Sequence, residues 1–333
     1  MKKLILIFAL VPTILLSQTF VSTTPENKKV FLEQFTGIYC GFCPDGHVMG
    51  QALKDANPNS VFLSRIHSGG YSYPNGLNEP DFNCLYGSAI NTASGLAGYP
   101  AGTVNRATFS GIAPQGNPGT TALSRFDWAA AAAQIMAQPA YVNLGVQATY
   151  DVSTGILTVN TETYYTSSTS NDNYLQVAVI ENNVPGPQSG AQNYNPGAII
   201  SGPWSPTYNH QHMFRHLMDG SNGIELTSTI AGSFHAYTHN WNVPIDLSAG
   251  QSTNGYFPVL NPFEFSVIAF ITEGAGTTGE VISASETPVI SIFPNAYDAN
   301  VTGSTSPDVL CATDNDITVT FRNYGNQALT SLD

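Results

Sequence analysis

Apolar residues lead directly into a pair of cysteines in the stretch VFLEQFTGIYCGFCP, residues 30–44. Residues 29–35 alternate between two mostly apolar faces, which predicts a largely buried β-strand. Residues 47–56 have the pattern of a helix that Asn57 and Pro58 end. The motif Cys40-Gly41-Phe42-Cys43 therefore lies where a strand ends and a helix begins.

The start of a helix favours a thiolate at the first cysteine. Free N–H groups and the positive end of the helix dipole lie beside Cys40, so we expect its thiol pKa to fall. We predict that Cys40 attacks and that Cys43, which is more shielded, resolves the mixed disulfide. Pro44 fits the first helical turn, because the N–H groups there lack intrahelical partners in any case.

The first residues predict export. Lys2 and Lys3 precede an uncharged apolar run, residues 4–16, that ends in Ser17 and Gln18. This is the pattern of a secretory signal peptide, assigned here to residues 1–18. The run is too short to span a membrane, and no second run of that length follows. We therefore expect an exported protein of the cell envelope, outer membrane or cell surface, with no transmembrane segment after signal removal.

Composition excludes several classes of partner. The chain has 333 residues, of which 42% are hydrophobic and 10% charged, with a formal net charge of −13. No lysine follows Lys54, so the chain cannot build the cationic surface that phosphate groups require. We therefore expect no nucleic-acid partner, and anionic lipid headgroups are poor partner candidates. Export also places the four cysteines where disulfides persist.

The pattern along the chain predicts a multidomain α/β plus all-β protein. Residues 25–140 follow the order strand, helix, strand, helical insert, strand, helix. Residues 142–150 and 156–165 alternate apolar and polar side chains on either side of a turn, which predicts a hairpin with one buried face. Six or seven strands in all within residues 141–288 predict an antiparallel β-sandwich. Residues 289–333 are expected to be a linker and the truncated start of a third β domain, because a strand pattern is still running at Asp333. The loop 184–207 is too long for a simple connector and is predicted to be functional or mobile.

Two segments resemble the thioredoxin-like fold. The strand and aromatic-Cys-Gly-x-Cys pattern of residues 30–44 looks like its active-site segment. Tyr99-Pro100, followed by an extended run, resembles its proline loop. The resemblance implies that the Tyr99-Pro100 bond is cis and that Pro100 faces the cysteines and positions an extended substrate. Tyr39, Phe42 and Tyr99 would then help to position that substrate.

A longer set of motifs resembles a family of Bacteroidetes outer-membrane proteins named for its twenty-eight-kilodalton member. The set consists of the signal peptide, Phe35-Thr36-Gly37 before the cysteines, Gly98-Tyr99-Pro100 with Val104-Asn105-Arg106, and Tyr208-Asn209-His210-Gln211-His212 with Arg215. The resemblance covers residues 29–286. It implies a thioredoxin-like domain joined to a β-rich region.

One position departs from the thioredoxin pattern. Six residues before the first cysteine, where thioredoxins keep a buried acid, this chain has Gln34. An amide cannot accept a proton, so exchange would need a water, His47, or a shifted register that turns Glu33 inward. Phe42 also replaces the usual proline between the cysteines. The sequence thus leaves open a redox-active dithiol and a static local disulfide.

Metal sites are weaker alternatives. Cys40, Cys43 and His47 have zinc-ligand spacing, and a fourth ligand would have to come from Cys84 or His67. A second metal or proton-relay alternative involves the histidines of the downstream segment: His210, His212, His216, His235 and His239.

We interpret those histidines as packing or hydrogen-bonding residues and predict no metal and no cofactor. Asp314-Asn315-Asp316 is predicted to be a turn, because it lacks the later residues of a calcium loop. Cys84 and Cys311 are expected to be unpaired or bridged outside the motif.

Two classes of function remain. In the first, the protein is a thiol-disulfide oxidoreductase that acts on the thiols or disulfides of exported proteins. In the second, the thioredoxin-like fold is a scaffold for surface adhesion or for binding an extracellular ligand, through the tyrosine-rich loop 71–73 or the loop 184–207.

Overall fold

The computed structural model describes residues 20–293, 299–305, 318–323 and 327. The proposed signal peptide, Cys311 and the Asp314 to Asp316 turn lie outside the described residues. Within them the chain is mostly β-sheet with four helices. The helices are α1 (Cys43–Ala56), α2 (Gly87–Ser94), α3 (Trp128–Met136) and α4 (Ala191–Tyr194).

Seventeen strands are described. They are β1 (Val30–Thr36), β2 (Val61–His67), β3 (Ala101–Val104), β4 (Ala122–Ser124), β5 (Val142–Asp151), β6 (Ile156–Tyr165), β7 (Asn173–Glu181), β8 (Val184–Pro187), β9 (Ile199–Ile200), β10 (Thr207–His210), β11 (Met213–Leu217), β12 (Ile224–Glu225), β13 (Phe234–Asn242), β14 (Phe265–Glu273), β15 (Glu280–Ile292), β16 (Ala299–Thr305) and β17 (Thr318–Asn323).

Twelve of these strands form one large mixed sheet. Its order is β13-β6-β5-β15-β14-β7-β11-β2-β1-β3-β4, with β12 beside β7. The pairs β1/β2, β11/β2 and β15/β5 are parallel, and the other pairs are antiparallel. Most strands of residues 141–288 thus belong to the same sheet as β1 to β4, whereas β8, β10 and β9 form a three-stranded sheet of their own. An antiparallel β-sandwich stays a prediction.

The predicted strand before the cysteines and the predicted β5–β6 hairpin are both confirmed. Two boundaries differ from expectation. The predicted linker from residue 289 begins as part of β15, because Val289 to Ile292 pair in parallel with β5. The loop 184–207 is largely ordered secondary structure, because it contains β8, α4 and β9.

One hydrophobic core spans both halves of the sheet. Phe31 from β1 packs against Phe270 from β14, with ring centroids 4.9 Å apart. The same cluster joins Ile66 of β2 to Ile268 and Val281 of the later strands. The N-terminal region and the β-rich region therefore bury their apolar faces against each other.

The turn after β3 links the two halves by hydrogen bonds. The Asn105 side chain accepts from the Phe31 N–H at 2.9 Å and donates to the carbonyls of Lys29 and Val281, each at 2.9 Å. The Val281 N–H donates to the Asn105 carbonyl at 2.8 Å. Asn105 has a φ of +51°, a left-handed conformation that asparagine tolerates better than most residues.

The next residue adds a buried ion pair. The Nη2 and Nε atoms of Arg106 donate to the two oxygens of the Glu33 carboxylate, at 2.7 and 2.8 Å respectively. The guanidinium also lies 5.2 Å from the centre of the Phe270 ring. Glu33 is therefore engaged on the face of β1 that points towards the later strands.

Replacing Asn105 should weaken the junction between the halves. We expect Asn105→Ala to lower the free energy of unfolding by about 3 kcal/mol, since three buried side-chain hydrogen bonds are lost at roughly 1 kcal/mol each. Urea denaturation followed by tryptophan fluorescence measures the change. Asn59→Ala, at an exposed asparagine, is the matched control and should change stability little. Equal stability of the two variants would contradict this role for Asn105.

Candidate active site

Cys40 and Cys43 form a disulfide at the start of α1. The chain turns out of β1 through Gly37, and the Cys40 N–H donates to the Gly37 carbonyl at 3.0 Å. The Cys43 N–H donates to the Cys40 carbonyl at 3.3 Å. The predicted placement of the motif between a strand and a helix is confirmed.

A segment from the β-rich region covers this disulfide. We call residues 188–194 the covering segment. Gln188 Nε2 donates to the carbonyls of Gly37 at 3.1 Å and Cys40 at 3.0 Å, and the Ser189 N–H donates to the Ile38 carbonyl at 2.8 Å. Cys40 is 3% exposed and Cys43 is 0% exposed. Neither sulfur is therefore open to a macromolecular substrate in this arrangement.

The fit between the covering segment and the cysteine turn is close. Gly190 has a φ of +75°, and a Cβ added there would lie 1.8 Å from the Gly41 carbonyl oxygen. Only glycine allows this approach without moving the backbone. The sequence analysis singled out the loop 184–207 for its length, but no pattern in that loop identified Gln188 as a contact residue.

Phe42 is the exposed side chain of the motif. It is 53% exposed, and its ring lies 5.3 Å from that of Tyr194 at the end of the covering segment. The Arg125 guanidinium lies 5.9 Å from the Phe42 ring and forms an ion pair with Asp45. Phe42 is therefore the one part of the Cys-x-x-Cys turn that presents a large apolar surface to solvent.

The Tyr99-Pro100 bond is cis, as the resemblance implied. Pro100 is buried against the first turn of α1, where a Cβ added to Gly46 would lie 3.1 Å from the Pro100 Cβ. The Tyr99 hydroxyl accepts a hydrogen bond from Asn91 at 2.6 Å. The Tyr39 hydroxyl donates to the Glu79 carboxylate. The structure thus brings Pro100 to the helix that carries Cys43, whereas the hydroxyls of Tyr39 and Tyr99 engage neighbouring loops.

The two predicted proton-transfer residues, His47 and Glu33, have different surroundings. His47 is buried in α1, with Nε2 3.0 Å from Thr36 Oγ1 and Nδ1 3.1 Å from the Tyr208 hydroxyl. Burial, and then the nearby Arg65 charge, hold the His47 pKa well below its usual value. Glu33 is paired with Arg106, and its register opposite Ser64 keeps it off the α1 face. The alternative of a shifted register that turns Glu33 inward is therefore wrong.

Gln34 lies on the face of β1 that packs against α1, opposite to the face that carries Glu33. Its Nε2 donates to the Gly46 carbonyl at 3.1 Å, and its Oε1 accepts from Arg65 Nε at 3.0 Å. A side chain at Gly50 would clash with this amide, at 2.0 Å from Nε2. The position beneath the cysteine helix is thus filled by a neutral, hydrogen-bonded amide. Arg65 is a residue that the sequence analysis did not single out.

The downstream histidines have different contact partners. His210 Nε2 lies 3.3 Å from the Pro187 carbonyl, His212 Nε2 lies 3.0 Å from Gln51, and His216 stacks on Trp241 at 4.5 Å. No group of three or more potential metal ligands is found in the described part of the chain. Cys84 is a buried free thiol, and burial raises its pKa to about 11.

Comparison with known proteins identifies the family. The family model described as outer membrane protein Omp28 matches residues 87–285, more than half of the chain. The chain belongs to the Omp28 family. As a member of this family it is an exported protein of the cell envelope. The matched residues begin after the Cys40–Cys43 motif.

Solved structures of low sequence identity were compared with this chain, and HBP35 shares its fold. HBP35 of Porphyromonas gingivalis is 15% identical, with a TM-score of 0.57, and the match covers 89% of this chain and 85% of that one. A domain of the outer membrane lipoprotein Omp28 from the same organism is 16% identical, with a TM-score of 0.27, over 46% of this chain and 90% of that one. No curated protein matches the chain. Among the residues described, no helix is long and apolar enough to cross a membrane.

The covering segment should control how fast the disulfide is reduced. We expect Gln188→Ala to remove hydrogen bonds worth on the order of 2 kcal/mol in total. The Cys40–Cys43 bond should then be reduced up to roughly thirtyfold faster by dithiothreitol, because the sulfurs become accessible more often. Quenched alkylation followed by mass spectrometry measures the rate.

Gln192→Ala is the matched control for this prediction. Gln192 belongs to the same segment but is exposed. The disulfide of Gln192→Ala should therefore be reduced at the wild-type rate. A wild-type rate in Gln188→Ala as well would show that the segment does not protect the bond.

Buried histidines should make the fold sensitive to acid. Burial is the leading cause that lowers the pKa of five of them, His47, His67, His210, His212 and His216. The unfolded chain protonates them near pH 6.5, whereas the folded chain resists; for example, the His210 pKa falls to about 3. The unfolded state then binds more protons, so stability should fall as the pH drops from about 6.5 towards 4.

His67→Phe tests this dependence. Neither ring nitrogen of His67 has a hydrogen-bond partner within the described residues, and the ring contacts Phe82 at 5.1 Å. Phenylalanine should keep the packing and reduce the slope of unfolding free energy against pH by up to about 1.4 kcal/mol per pH unit. Urea denaturation at several pH values measures both slopes. An unchanged slope in the variant would contradict the assignment.

Proposed function

We propose that this exported envelope protein exchanges thiols and disulfides through Cys40 and Cys43, carried by a thioredoxin-like unit over residues 25–140. The observation that supports the proposal is the Cys40–Cys43 disulfide at the first turn of α1. A helix start stabilises a thiolate on the first cysteine, so this bond is placed where exchange is favourable. The partners are the thiols or disulfides of other exported proteins.

Each round of exchange transfers two electrons between the cysteine pair and the substrate. In the reduced form, the Cys40 thiolate attacks a substrate disulfide, forms a mixed disulfide and releases one substrate thiolate. The Cys43 thiolate then attacks the Cys40 sulfur, re-forms the internal disulfide and releases the second substrate thiolate. Two electrons pass from the dithiol to the substrate. The oxidised form described here runs the same steps in reverse on a substrate dithiol, and the relative reduction potentials set the direction.

We assign the transfer of the Cys43 proton to His47. Its imidazole is neutral because burial lowers its pKa, so it would relay the proton, taking it up at one ring nitrogen while releasing one from the other, and would not hold a positive charge. It lies one helical turn after Cys43, and its other contact, the Tyr208 hydroxyl, accepts from Asn195 at 2.8 Å. Glu33 is excluded from this role by its ion pair with Arg106.

Substrate access requires the covering segment to leave the cysteine turn. The Ser189 N–H and the Gln188 amide donate to carbonyls of residues 37–40, as an extended substrate chain would. A substrate would replace these contacts, lie against Pro100 and meet the exposed Phe42 ring. Tyr39 and Tyr99 flank this path on the neighbouring loops.

A second candidate function is a non-enzymatic surface protein that uses the fold as a scaffold for adhesion or ligand binding. The burial of both sulfurs favours it, since a static disulfide needs no access. Gln34 favours it too, because an amide cannot accept the proton that exchange releases.

Mixed-disulfide trapping distinguishes the two. We expect Cys43→Ala to accumulate covalent adducts with exported proteins through Cys40, because the resolving thiol is absent. Wild-type protein should also catalyse insulin reduction by dithiothreitol. Non-reducing gels and mass spectrometry identify the adducts, and turbidity follows insulin reduction.

The double variant Cys40→Ala/Cys43→Ala is the control for adducts at the remaining thiols. Absence of adducts with Cys43→Ala, together with no insulin reduction by the wild type or by Gln188→Ala, would reject the exchange function. The scaffold function would then remain.

A further inference from the structure

Arg65 is a buried cation whose hydrogen-bond partners are all neutral. It lies on β2 and is 4% exposed. Its Nε donates to Gln34 Oε1 at 3.0 Å, and its terminal nitrogens donate to the carbonyls of His47 at 2.9 Å and Gln211 at 3.2 Å. A guanidinium has more N–H donors than these three acceptors use.

The other deeply buried arginines have carboxylate partners. Arg106 is paired with Glu33 at 2.7 Å, and Arg215 lies 2.9 Å from Glu181, a charge contact without hydrogen-bond alignment. Within the described residues Arg65 has no such ion pair. Neutral acceptors compensate a buried charge only in part, and burial accordingly lowers the Arg65 pKa to about 10. Arg65 therefore has an unmet preference for an anion.

Space for an anion exists beside Arg65. A cavity of about 280 Å³ lies between α1 and the segment around β10, and Arg65 lines it. Val48, Ala52 and Ala198 provide apolar wall, and Asp55 lies on the same lining. This volume is near the lower end of small-molecule sites, which span roughly 300–1,000 Å³.

We propose that this cavity binds a small organic monocarboxylate. The ligand carboxylate accepts from the Arg65 N–H groups that the three protein acceptors leave unused, and the apolar body of the ligand lies against Val48, Ala52 and Ala198. Asp55 disfavours a second negative charge on the ligand, and so does the net charge of −13 on the protein. Inorganic phosphate is therefore a poor fit, and a neutral amide lacks the charge.

The lining of this cavity includes His47 and Tyr208 but neither cysteine, and the proposal does not depend on thiol-disulfide exchange. Calorimetric titration of the oxidised full chain with acetate, isovalerate and benzoate tests it, with isovaleramide and inorganic phosphate as comparisons. We expect saturable binding of at least one carboxylate. We expect affinity at least about tenfold weaker for the amide and for phosphate, since a charged hydrogen-bonded pair is lost or opposed.

Two variants localise the binding. Arg65→Gln should weaken carboxylate binding by about tenfold or more, because the cation is removed. Ala52→Trp should abolish binding by filling the cavity from its exposed rim, and Ala52 is not among the hydrogen-bond partners of Arg65. Gln192→Ala, outside the cavity, should bind like the wild type.

Three outcomes would overturn the proposal: no saturable binding of any of the three carboxylates to the wild type, equal affinity for isovaleramide or phosphate, or wild-type affinity in Ala52→Trp. Ala52→Trp decides the location even if Arg65→Gln fails to fold, because position 52 is on the exposed side of α1.

Discussion

The hydrogen bonds of Asn105 fix one half of the sheet against the other. One side chain serves the Phe31 N–H and the carbonyls of Lys29 and Val281, so β1 and β15 cannot shift independently. Arg106 adds a buried ion pair to Glu33 at the same junction. Because the halves are held together, the segment that follows β8 in the later half reaches the cysteine turn in the first half.

That contact changes the chemistry of the cysteine pair. A strand followed by a helix start favours a thiolate at Cys40, whatever the rest of the chain does. Both cysteines are buried, and the covering segment holds the turn that carries them through hydrogen bonds to the carbonyls of residues 37–40. Access to the disulfide is thus a property of residues 188–194 as much as of the motif itself.

The polar groups beneath α1 form a network without a carboxylate. Gln34, Arg65 and the neutral His47 share hydrogen bonds where a proton acceptor would assist exchange. The single charge in this network is the Arg65 cation, which lines the cavity between α1 and the segment around β10. The cysteine turn and the cavity therefore both lie along α1, and each favours a negative charge, a thiolate at the start of the helix and a carboxylate beside Arg65.

The sequence by itself determined the local elements: the strand before the cysteines, the helix after them, the β5–β6 hairpin and the placement of the motif. These depend on the spacing of apolar side chains and on proline and glycine, which act over a few residues. Only the tertiary structure decided that Gln188 covers the disulfide, that Glu33 is paired with Arg106 and that Arg65 has no carboxylate partner among the described residues. Each of these depends on contacts between residues far apart in the chain, and hydrophobic periodicity carries no information about such partners.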